Sequence, residues 1–522
     1  MANFLKSICD TMPRYTYVLP LAVLLVLWAS CRKDLEYAPS AGNLEFSKDT
    51  VFLDTIFTNI ASSTYTLKVY NRTRDDIEIP SIRLAKGQSS DYRLNVDGVA
   101  GKEFRNIPIF AEDSLFILIE TTHDISASGL NSFLYTDALQ FDSGDYLQQV
   151  QLVTLVRDAI FLFPRTLADG KKETVPIDLD NEGNEIRVEG FYLEDDQLTF
   201  TNEKPYVIYG YAAVPEDKVL SVEAGSRVHF HKDSGIFVSK NASIKINGTL
   251  SSDEDLMENE VVFEGDRLEP EFDDITGQWG AIWLSQGSID NTIEHLTLKN
   301  ATIGLYVEGL NESPTLTLNN SRLYNCALIN LWGKTTSIIG ENCVLGNSGH
   351  ISLYLNNGGD YSFTHSTIAN YWQNGFRSGA ALELDNYAIG QSGEVAADLE
   401  QARFLNCIID GNTNLELALR SNGTNTFAYY FSHCMIKFRD PNGNFTENPL
   451  YDFQDSSHFE QPFFNEDADF WDAKMNDFRI GEASFGKANA SMDYSILVPF
   501  DILGIDRTPS PDIGAYQNAP KE

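Results

Sequence analysis

The sequence predicts an all-β fold in which an N-terminal β-sandwich is followed by a solenoid of stacked short strands. Three observations support this prediction. Apolar residues lie two positions apart over long stretches, as in Leu296/Leu298 and Ile351/Leu353/Leu355, and this is the period of strands rather than helices. A short phrase recurs between residues 298 and 436. Between residues 44 and 156, strand-like segments follow one another with no helical stretch.

The recurring phrase is an apolar residue, any residue, Asn or His, a small residue, any residue, and then Ile or Leu. Its copies begin at Leu298, Leu318, Gly340, Phe363, Phe404 and Phe431, and Gly340 departs from the rule. They start 20, 22, 23, 41 and 27 residues apart, which is a solenoid period with one large insertion. Asn tolerates unusual backbone angles and small residues fit crowded corners, so the phrase predicts a corner between stacked strands. His365 and His433 take the Asn position, which favours a corner role over catalysis.

The N-terminus predicts export. Lys6 and Arg14 precede an apolar run over residues 17–28, which is shorter than the ~20 residues of a membrane-spanning helix and ends in small residues. Residues 1–31 are therefore predicted to be a signal peptide, with an uncleaved anchor helix as the alternative. Ala29-Ser30-Cys31 resembles the lipobox of bacterial lipoproteins, although Trp28 stands where that family usually has Leu. The resemblance implies a lipid on Cys31 and anchoring in the cell outer membrane.

The residues after Cys31 bear on the side of the membrane. No Asp follows Cys31 directly, so retention at the inner membrane is not signalled. Lys33-Asp34-Leu35-Glu36 is similar to the charged tether that some surface-exposed lipoproteins carry. We therefore expect a polar tether over residues 32–43 and a protein exposed on the cell surface.

Strand-like segments separated by turns predict a β-sandwich over residues 44–157. The phrase over residues 66–71, together with that over 77–82, resembles immunoglobulin-like sandwiches of the hydin-like type. That resemblance implies a spacer between the anchor and a functional module. Residues 158–204, rich in Asp, Glu, Gly and Lys, are predicted to be a connection.

The solenoid is predicted over residues 205–520. Its opening segments, residues 220–230 and 244–250, place an Ala-Gly corner and a Gly-Thr corner between short strands. With the recurring phrase they resemble right-handed parallel β-helix proteins of the pectate-lyase-like architecture, which implies about three strands per coil. The segment over residues 501–516 resembles the closing segment of this group, which implies a cap on the last coil, with Arg507 and Asp512 as a candidate pair.

Cysteine usage agrees with a solenoid. Cys343, Cys407 and Cys434 fill the position of the phrase that Ala or Ser fills in other copies, so they are predicted to be reduced and buried. A metal site is not indicated, because no CxxC pair or His partner has ligand spacing. His229 and His231 share one face of a predicted strand, and an outward, solvated pair is favoured over a metal pair.

The formal net charge of −37 argues against a nucleic-acid partner, whose phosphates would be repelled. The same charge disfavours a grip on a polyanionic sugar. The acidic residues between 253 and 274 lack the alternating oxygen ligands and the turn Gly of a calcium loop. Calcium binding is therefore not signalled, and no cofactor is predicted.

The longest spacing between copies of the recurring phrase, 41 residues, contains an insertion over residues 371–401. Long loops that leave a rigid scaffold usually carry function, so a ligand site is expected there first. The predicted binding residues are Trp372, Phe376 and Tyr387. Arg377 and Asp385, together with His350 outside the insertion, are the candidate catalytic residues, but no motif gathers them.

Three functions remain open. The preferred one is a non-catalytic, envelope-anchored lipoprotein that binds a glycan or a partner. The second is a polysaccharide lyase, which needs a base and neutralisation of a uronate, or a glycoside hydrolase, which needs two carboxylates roughly 5–9.5 Å apart. The third is a purely structural surface protein. Carboxylates and a basic residue that converge in one groove beside the insertion would favour an enzyme.

Overall fold

The structure is a computed structural model that describes residues 37–179, 182–309, 314–390 and 393–520. The predicted signal peptide, the predicted lipidation site Cys31 and residues 32–36 of the tether lie outside the described residues. The described chain forms two compact units: residues 37–54, 59–123 and 134–155 in the first, and residues 55–58, 124–133 and the described part of 156–520 in the second.

Strands dominate both units, and the all-β prediction is confirmed. Among the described residues a single α-helix is present, α1 (Met492–Ser495). None of the chain that the structure describes forms a helix with the length and apolar character needed to cross a bilayer.

The first eleven strands of the described chain build two sheets. They are β1 Ala38–Pro39, β2 Glu45–Phe46, β3 Thr50–Phe57, β4 Tyr65–Tyr70, β5 Ile77–Leu84, β6 Tyr92–Val96, β7 Val99–Gly101, β8 Glu103–Ile109, β9 Ser114–Thr121, β10 Ser132–Phe141 and β11 Gln148–Arg157. One sheet has the order β1-β5-β10-β11-β3, with β8 also paired to β5, and the other has the order β2-β4-β9-β6-β7. Along β9, Leu115, Ile117 and Ile119 are buried whereas Phe116 and Leu118 are exposed, as the period of a strand requires.

The remaining strands belong to the second unit. They are β12 Ile160–Leu162, β13 Thr174–Leu179, β14 Glu185–Tyr192, β15 Thr199–Phe200, β16 Tyr206–Ile208, β17 Tyr211–Val214, β18 Val219–Glu223, β19 Arg227–Phe230, β20 Gly235–Val238, β21 Ser243–Asn247, β22 Val261–Gly265, β23 Ile282–Leu284, β24 Asn291–Glu294, β25 Leu296–Lys299, β26 Ile303–Glu308, β27 Leu316–Asn319, β28 Arg322–Cys326, β29 Ile329–Glu341, β30 Val344–Ser348, β31 Ile351–Thr364, β32 Thr367–Asn370, β33 Leu382–Asp385, β34 Tyr387–Gly390, β35 Gly393–Ala396, β36 Leu399–Leu405, β37 Ile408–Gly411, β38 Leu417–Arg420, β39 Tyr430–Ser432, β40 Met435–Ile436, β41 Phe459–Glu460, β42 Phe463–Phe464, β43 Phe470–Asp472 and β44 Asp477–Ile480.

Most of these strands pair in parallel and form three ladders. The first ladder runs β12-β16-β19-β22-β25-β28-β30-β32-β37-β40-β42. The second runs β14-β17-β20-β23-β26-β29-β31-β33-β38, and the third runs β15-β18-β21-β24-β27-β29-β31-β36-β39-β41. The long strands β29 and β31 contribute to both the second and the third ladder. The chain thus visits the three ladders in turn, which is compatible with a β-helix-like solenoid.

Buried side chains from successive coils stack in the core of the second unit. Phe363, Phe404, Phe431 and Phe459 form one such stack, with ring centroids 5.7, 4.9 and 5.5 Å apart. Each stacked pair adds about 0.5–1.5 kcal/mol to the effect of burial. Because each ring contacts the rings of the neighbouring coils, the core is held together along the direction of stacking.

The predicted corners are confirmed by their backbone angles. The third residue of every copy of the phrase has a positive φ: 66° at Asn300, 47° at Asn320, 53° at Asn342, 47° at His365, 55° at Asn406 and 51° at His433. Asn is enriched in this left-handed conformation, which explains why it dominates the position. His365 donates to or accepts from Ser495 Oγ at 2.9 Å in a buried setting, as expected for a structural residue.

The cysteine prediction is also confirmed. Cys326, Cys343, Cys407 and Cys434 are free and buried. Burial raises the pKa of the Cys326 thiol to about 12. The thiols of Cys343 and Cys434 donate hydrogen bonds to the carbonyls of Leu318 and Phe404, respectively, both at 3.2 Å.

The histidine prediction is wrong for one of its two residues. His231 is exposed and lies 2.7 Å from Asp266, as expected of an outward side chain. His229 also points away from buried Val228, but it is only 5% exposed because the Phe57 ring packs against it, with ring centroids 4.9 Å apart, and Glu264 lies beside it in the register of β22. The apolar/polar alternation correctly gave the face of the strand, but it contained no information about the residues that pack on that face.

The parallel pairing begins earlier than residue 205. The strand β12, within the predicted connection, pairs with β16, and β14 pairs with β17. The predicted insertion likewise contains a rung of the second ladder, because β33 pairs with β31 and with β38. What remains of the insertion is a loop before β33 and the antiparallel hairpin β34–β35 after it.

The C-terminal segment packs beside the coils and does not cap them. Phe478, Ile502 and Ala515 join Val344 and Ala369 of the first ladder in one hydrophobic cluster. The end of the core is closed by aromatic residues further upstream, which are Phe438, Tyr451 and Phe459 with Phe445 and Phe453 packed against them.

The predicted Arg507–Asp512 pair does not form as an ion pair. The buried Arg507 guanidinium donates to Asn342 Oδ1 at 2.9 Å and to the carbonyl of Gly514 at 3.3 Å. Asp512 accepts instead from the backbone N–H groups of Ala488 and Asn518, each at 2.7 Å. Arg507 therefore joins the closing segment to a corner of the coils.

Candidate functional site

The outer face of the second ladder carries a row of four aromatic side chains. Trp283, Tyr306, Trp332 and Tyr354 are successive partners in the parallel register of β23, β26, β29 and β31. Their ring centroids lie 5.1, 4.6 and 5.8 Å apart. Each side chain is partly exposed, whereas its neighbour in sequence, such as Leu331, is buried. We name these four residues the aromatic row.

The row follows from strand periodicity and coil spacing. Ile282 and Leu284 are fully buried, so the residue between them, Trp283, points outward. Neighbouring strands in a sheet lie about 4.7–4.9 Å apart, so aromatic rings at the same register position come into contact. The result is a continuous apolar strip that runs across the strands.

A hairpin borders the row at its first member. The antiparallel strands β13 and β14 bring Ile177 and Val188 against the cluster formed by Val175, Ala213 and Phe237, to which Trp283 also belongs. Phe237 precedes Trp283 in the register and is 6% exposed. The accessible strip therefore starts at Trp283.

Polar groups along the first half of the row are fixed by one carboxylate. Glu308 accepts hydrogen bonds from Trp283 Nε1 at 2.9 Å, from the Tyr306 hydroxyl at 2.7 Å and from Lys334 Nζ at 2.9 Å. Burial, and then the charge of Glu308, raises the pKa of Tyr306, so its hydroxyl remains a donor. The Lys334 side chain is 43% exposed, whereas that of Glu308 is 18% exposed.

The other end of the row meets residues of the insertion. The Tyr354 hydroxyl donates to Asp385 Oδ2 at 2.9 Å, and Asn356 Nδ2 donates to Asp385 Oδ1 at 2.7 Å. Arg420 donates to Glu383 Oε2 at 2.5 Å. Burial raises the pKa of the Asp385 carboxyl. Two carboxylates and a basic residue thus converge beside the insertion, at the end of the aromatic row.

This convergence has the spacing of a hydrolase pair but not its accessibility. Glu383 and Asp385 lie two positions apart on one strand face, about 6.6 Å along the strand, and hydrolase carboxyl groups lie roughly 5–9.5 Å apart. However, these residues are 5% and 4% exposed, and all four carboxyl oxygens accept hydrogen bonds from the protein. The carboxylates lie beneath the surface and orient the groups above them.

The other catalytic candidates have different partners. Arg377 forms a buried ion pair with Glu416 through contacts of 2.6 and 2.9 Å, and the two side chains are 3% and 0% exposed. His350 Nδ1 lies 3.0 Å from Ser378 Oγ. Arg377, Asp385 and His350 therefore belong to separate hydrogen-bond networks. Arg377 ties the loop before β33 to the coil.

The predicted binding residues are dispersed. Trp372 is 9% exposed and lines a cavity of about 160 Å³ together with Tyr371 and Asn347. Phe376 is 91% exposed, and Tyr387, the first residue of β34, is partly exposed. The assignment of these three residues to a ligand stays a prediction.

The aromatic row itself was missed from the sequence. Trp283, Tyr306, Trp332 and Tyr354 follow one another at intervals of 23, 26 and 22 residues, which is the same period as the corner phrase. An aromatic residue flanked by apolar residues at each period was the available signal. The corner phrase has the same period but marks a different part of each coil.

A second concave region lies on the first ladder. Thr297, Arg322 and Tyr324 line a cavity of about 870 Å³ with the acidic loop around Glu254 and with Arg479. Its basic groups are already paired, because Arg322 lies 2.6 Å from Glu260 and Arg479 lies 2.6 Å from Asp477. The cavity thus offers no free basic group for a uronate.

Across residues 37–520, as far as they are described, no group of three His, Cys, Asp or Glu side chains is placed to hold an ion.

Comparisons with known proteins give no assignment. No family model matches the chain, and no curated protein matches it. Among solved structures, the periplasmic chaperone SfaE is 12% identical over 22% of this chain and 58% of that one, with a TM-score of 0.15. A family 123 glycoside hydrolase from Clostridium perfringens is 7% identical over 24% of this chain and 31% of that one, with a TM-score of 0.16.

A third solved structure, the catalytic domain of Agl-KA, is 12% identical over 71% of this chain and 75% of that one, with a TM-score of 0.20. The chain spans about 58% and 31% of the lengths of the first two structures. At TM-scores of this size the likenesses carry no argument about fold or function.

Proposed function

We propose that this protein is an outer-membrane lipoprotein, anchored through Cys31 and exposed on the cell surface, whose second unit binds a glycan along the aromatic row without catalysing a reaction. The observation that carries the proposal is the row itself. Four partly exposed rings in mutual contact form an apolar strip on the outside of the coils. Sugar rings present apolar C–H faces and polar edges, and such a strip offers the matching surface.

The groups beside the row support binding because they are already immobilised. Glu308 holds Trp283, Tyr306 and Lys334, and Asp385 holds Tyr354. Side chains that are fixed before binding lose little conformational entropy on binding, so more of the contact energy appears as affinity. A binding face needs this order but needs no accessible acid or base.

The proposed architecture extends the described ladders. The coils of the second unit form a right-handed parallel β-helix of the pectate-lyase-like type, and the first unit is an immunoglobulin-like spacer. The three parallel ladders and the resemblance of the sequence phrases support this assignment.

The binding test uses the full chain purified in detergent and a panel of oligosaccharides on a glycan array, followed by calorimetry on the glycans that bind. Trp332→Ala is expected to weaken binding at least about ten-fold, or about 1.4 kcal/mol. Phe376→Ala is the matched control, because it removes an exposed aromatic ring outside the row. If Phe376→Ala abolishes binding and Trp332→Ala leaves it intact, the site lies on the insertion and the proposal is wrong.

The anchor has a separate test. Cells grown with labelled palmitate are expected to yield labelled protein, and Cys31→Ser is expected to remove the label and release the protein from the membrane fraction. Protease added to intact cells should digest the anchored protein if it faces outward. Retention of the label in Cys31→Ser would contradict lipidation at this residue.

A glycoside hydrolase is the second candidate, favoured by the spacing of Glu383 and Asp385 at the end of the row. In that mechanism one carboxyl group protonates the departing oxygen and the other activates water or attacks the sugar. Release of new reducing ends from a bound glycan, lost in Glu383→Gln with binding retained, would establish it. Absence of any glycan ligand would leave the structural surface protein as the remaining function.

A further inference from the structure

We infer that the aromatic row accepts an uncharged glycan, laid across the strands, and discriminates against glycans that carry carboxylate or sulfate groups. The inference rests on the proposed function and adds the class of ligand. It is carried by the charge balance of the groups that border the row, by their accessibility and by the length of the strip.

The cations that border the row are neutralised within the protein. Lys334 Nζ lies 2.9 Å from Glu308 Oε1, and Arg420 lies 2.5 Å from Glu383 Oε2. An acidic sugar that recruited either cation would have to compete with a carboxylate that is almost buried and fixed by other donors. Separating such a pair leaves a mostly buried carboxylate without its cation, which costs free energy that solvent around the half-exposed cation reduces but does not cancel.

Asp385 adds a negative charge that no ion pair offsets. Its oxygens accept from the Tyr354 hydroxyl, from Asn356 Nδ2 and from the backbone N–H of Asn357, all of which are neutral donors. Among the described residues that are hydrogen-bonded along the row, three carboxylates, Glu308, Glu383 and Asp385, therefore stand beside two cations, Lys334 and Arg420. A carboxylated or sulfated glycan meets a net negative site on a chain whose formal charge is −37.

The same cations still offer hydrogen bonds to neutral hydroxyl groups. An ammonium has three N–H donors and a guanidinium has five. Lys334 uses donors toward Glu308 and, at 3.5 Å, the Tyr306 hydroxyl, while Arg420 uses one toward Glu383. Both side chains are nearly half exposed, at 43% and 47%. The remaining N–H groups face solvent beside the rings, where the hydroxyls of a stacked sugar lie.

The length of the strip favours an extended chain over a single sugar. Three steps separate the coils of Trp283 and Tyr354, and each step is about 4.7–4.9 Å, so the row is roughly 14 Å long. Its direction is perpendicular to the strands. An oligosaccharide stacked along it runs parallel to the direction in which the coils succeed one another.

The test measures binding of the full chain in detergent to hexasaccharides of three charge classes. The uncharged probes are cellohexaose, xylohexaose, laminarihexaose and mannohexaose, the anionic probe is hexagalacturonate and the cationic probe is chitosan hexaose. Titrations are run at about 20 mM and about 500 mM NaCl, between which charge interactions at an exposed site are largely screened. We expect an uncharged probe to bind at least about ten-fold more tightly than hexagalacturonate at low salt, with little dependence on salt.

Asp385→Asn provides the matched variant, because it keeps the shape of the side chain and removes its charge. Asp385→Asn is expected to reduce the difference in affinity between the uncharged probe and hexagalacturonate. Trp332→Ala is expected to weaken the binding of both probes. Circular dichroism and tryptophan emission show whether Asp385→Asn has folded. If it has not, Lys334→Met serves as a second variant. It is expected to weaken the binding of uncharged probes by a few fold and to increase the difference in affinity between these probes and hexagalacturonate.

The outcomes separate the inference from the proposed function. Tighter, salt-sensitive binding of hexagalacturonate or of chitosan hexaose that depends on Trp332 overturns the inference and leaves glycan binding in place. Failure of every probe to bind, on the array as well as in titration, overturns both.

Discussion

Arg377→Met tests the assignment of Arg377 to structure and not to catalysis. Glu416 accepts two bonds from the Arg377 guanidinium, one from the backbone N–H of Ala381 at 2.9 Å, and two from Thr413 at 2.7 and 2.9 Å. The substitution leaves a fully buried carboxylate with neutral donors only. Removing one partner of a buried ion pair costs about 3–5 kcal/mol, and we expect a loss of that size in the free energy of unfolding of the second unit.

Urea unfolding followed by tryptophan emission measures this loss. The tryptophans of the described residues all lie in the second unit, so the signal reports on that unit. The double variant Arg377→Met with Glu416→Gln removes the unpaired charge and keeps one carbonyl oxygen, which can accept from the Thr413 N–H and hydroxyl, while the amide NH2 replaces the oxygen that accepts from the Ala381 N–H. We expect it to recover about 1–3 kcal/mol relative to the sum of the single losses. A single-variant loss below about 1 kcal/mol, or strict additivity in the double variant, would refute the reasoning.

Three further predictions concern the coils. His433→Gly should leave stability nearly unchanged, whereas His433→Val should lower it by about 1–2 kcal/mol in urea titrations, because φ is 51° at this corner; equal losses would contradict a backbone origin. Phe404→Ala should cost about 3–5 kcal/mol by removing the middle of a buried stack, and retention of the wild-type midpoint would show that the stack contributes little. In native protein at pH 9, Cys326 and Cys343 should remain unlabelled by a maleimide and become labelled in urea, because burial raises both thiol pKa values; peptide mass spectrometry reads the result, and native labelling would contradict it.

The repeated architecture could be predicted from the sequence because the corner phrase recurs at regular spacing. A positive φ at Asn300 or Asn406 is a local property of the chain, and Asn recurring at one position reports it directly. Burial of the cysteines followed for the same reason, since their position alternates with Ala and Ser. Both features depend on interactions within a coil or between adjacent coils.

What could not be read from the sequence depends on contacts between distant segments. Arg507 lies in a motif with Asp512 nearby in sequence, yet its partner is Asn342, 165 residues away. His229 is packed against Phe57, 172 residues earlier in the chain. Arg377 is likewise buried in an ion pair with Glu416, which lies 39 residues later in the chain. Periodicity specifies the face of a strand, but it does not specify which segment comes to lie on that face.

The parallel register of the aromatic row restricts how the length of the row can change. Each coil pairs only with the coil before it and the coil after it, so a duplication of one whole coil adds one ring and about 4.8 Å of strip without disturbing the others. An insertion of one residue within a strand instead turns every later side chain of that strand to the opposite face. The length of the aromatic row can therefore change only by whole coils, in steps of about 4.8 Å.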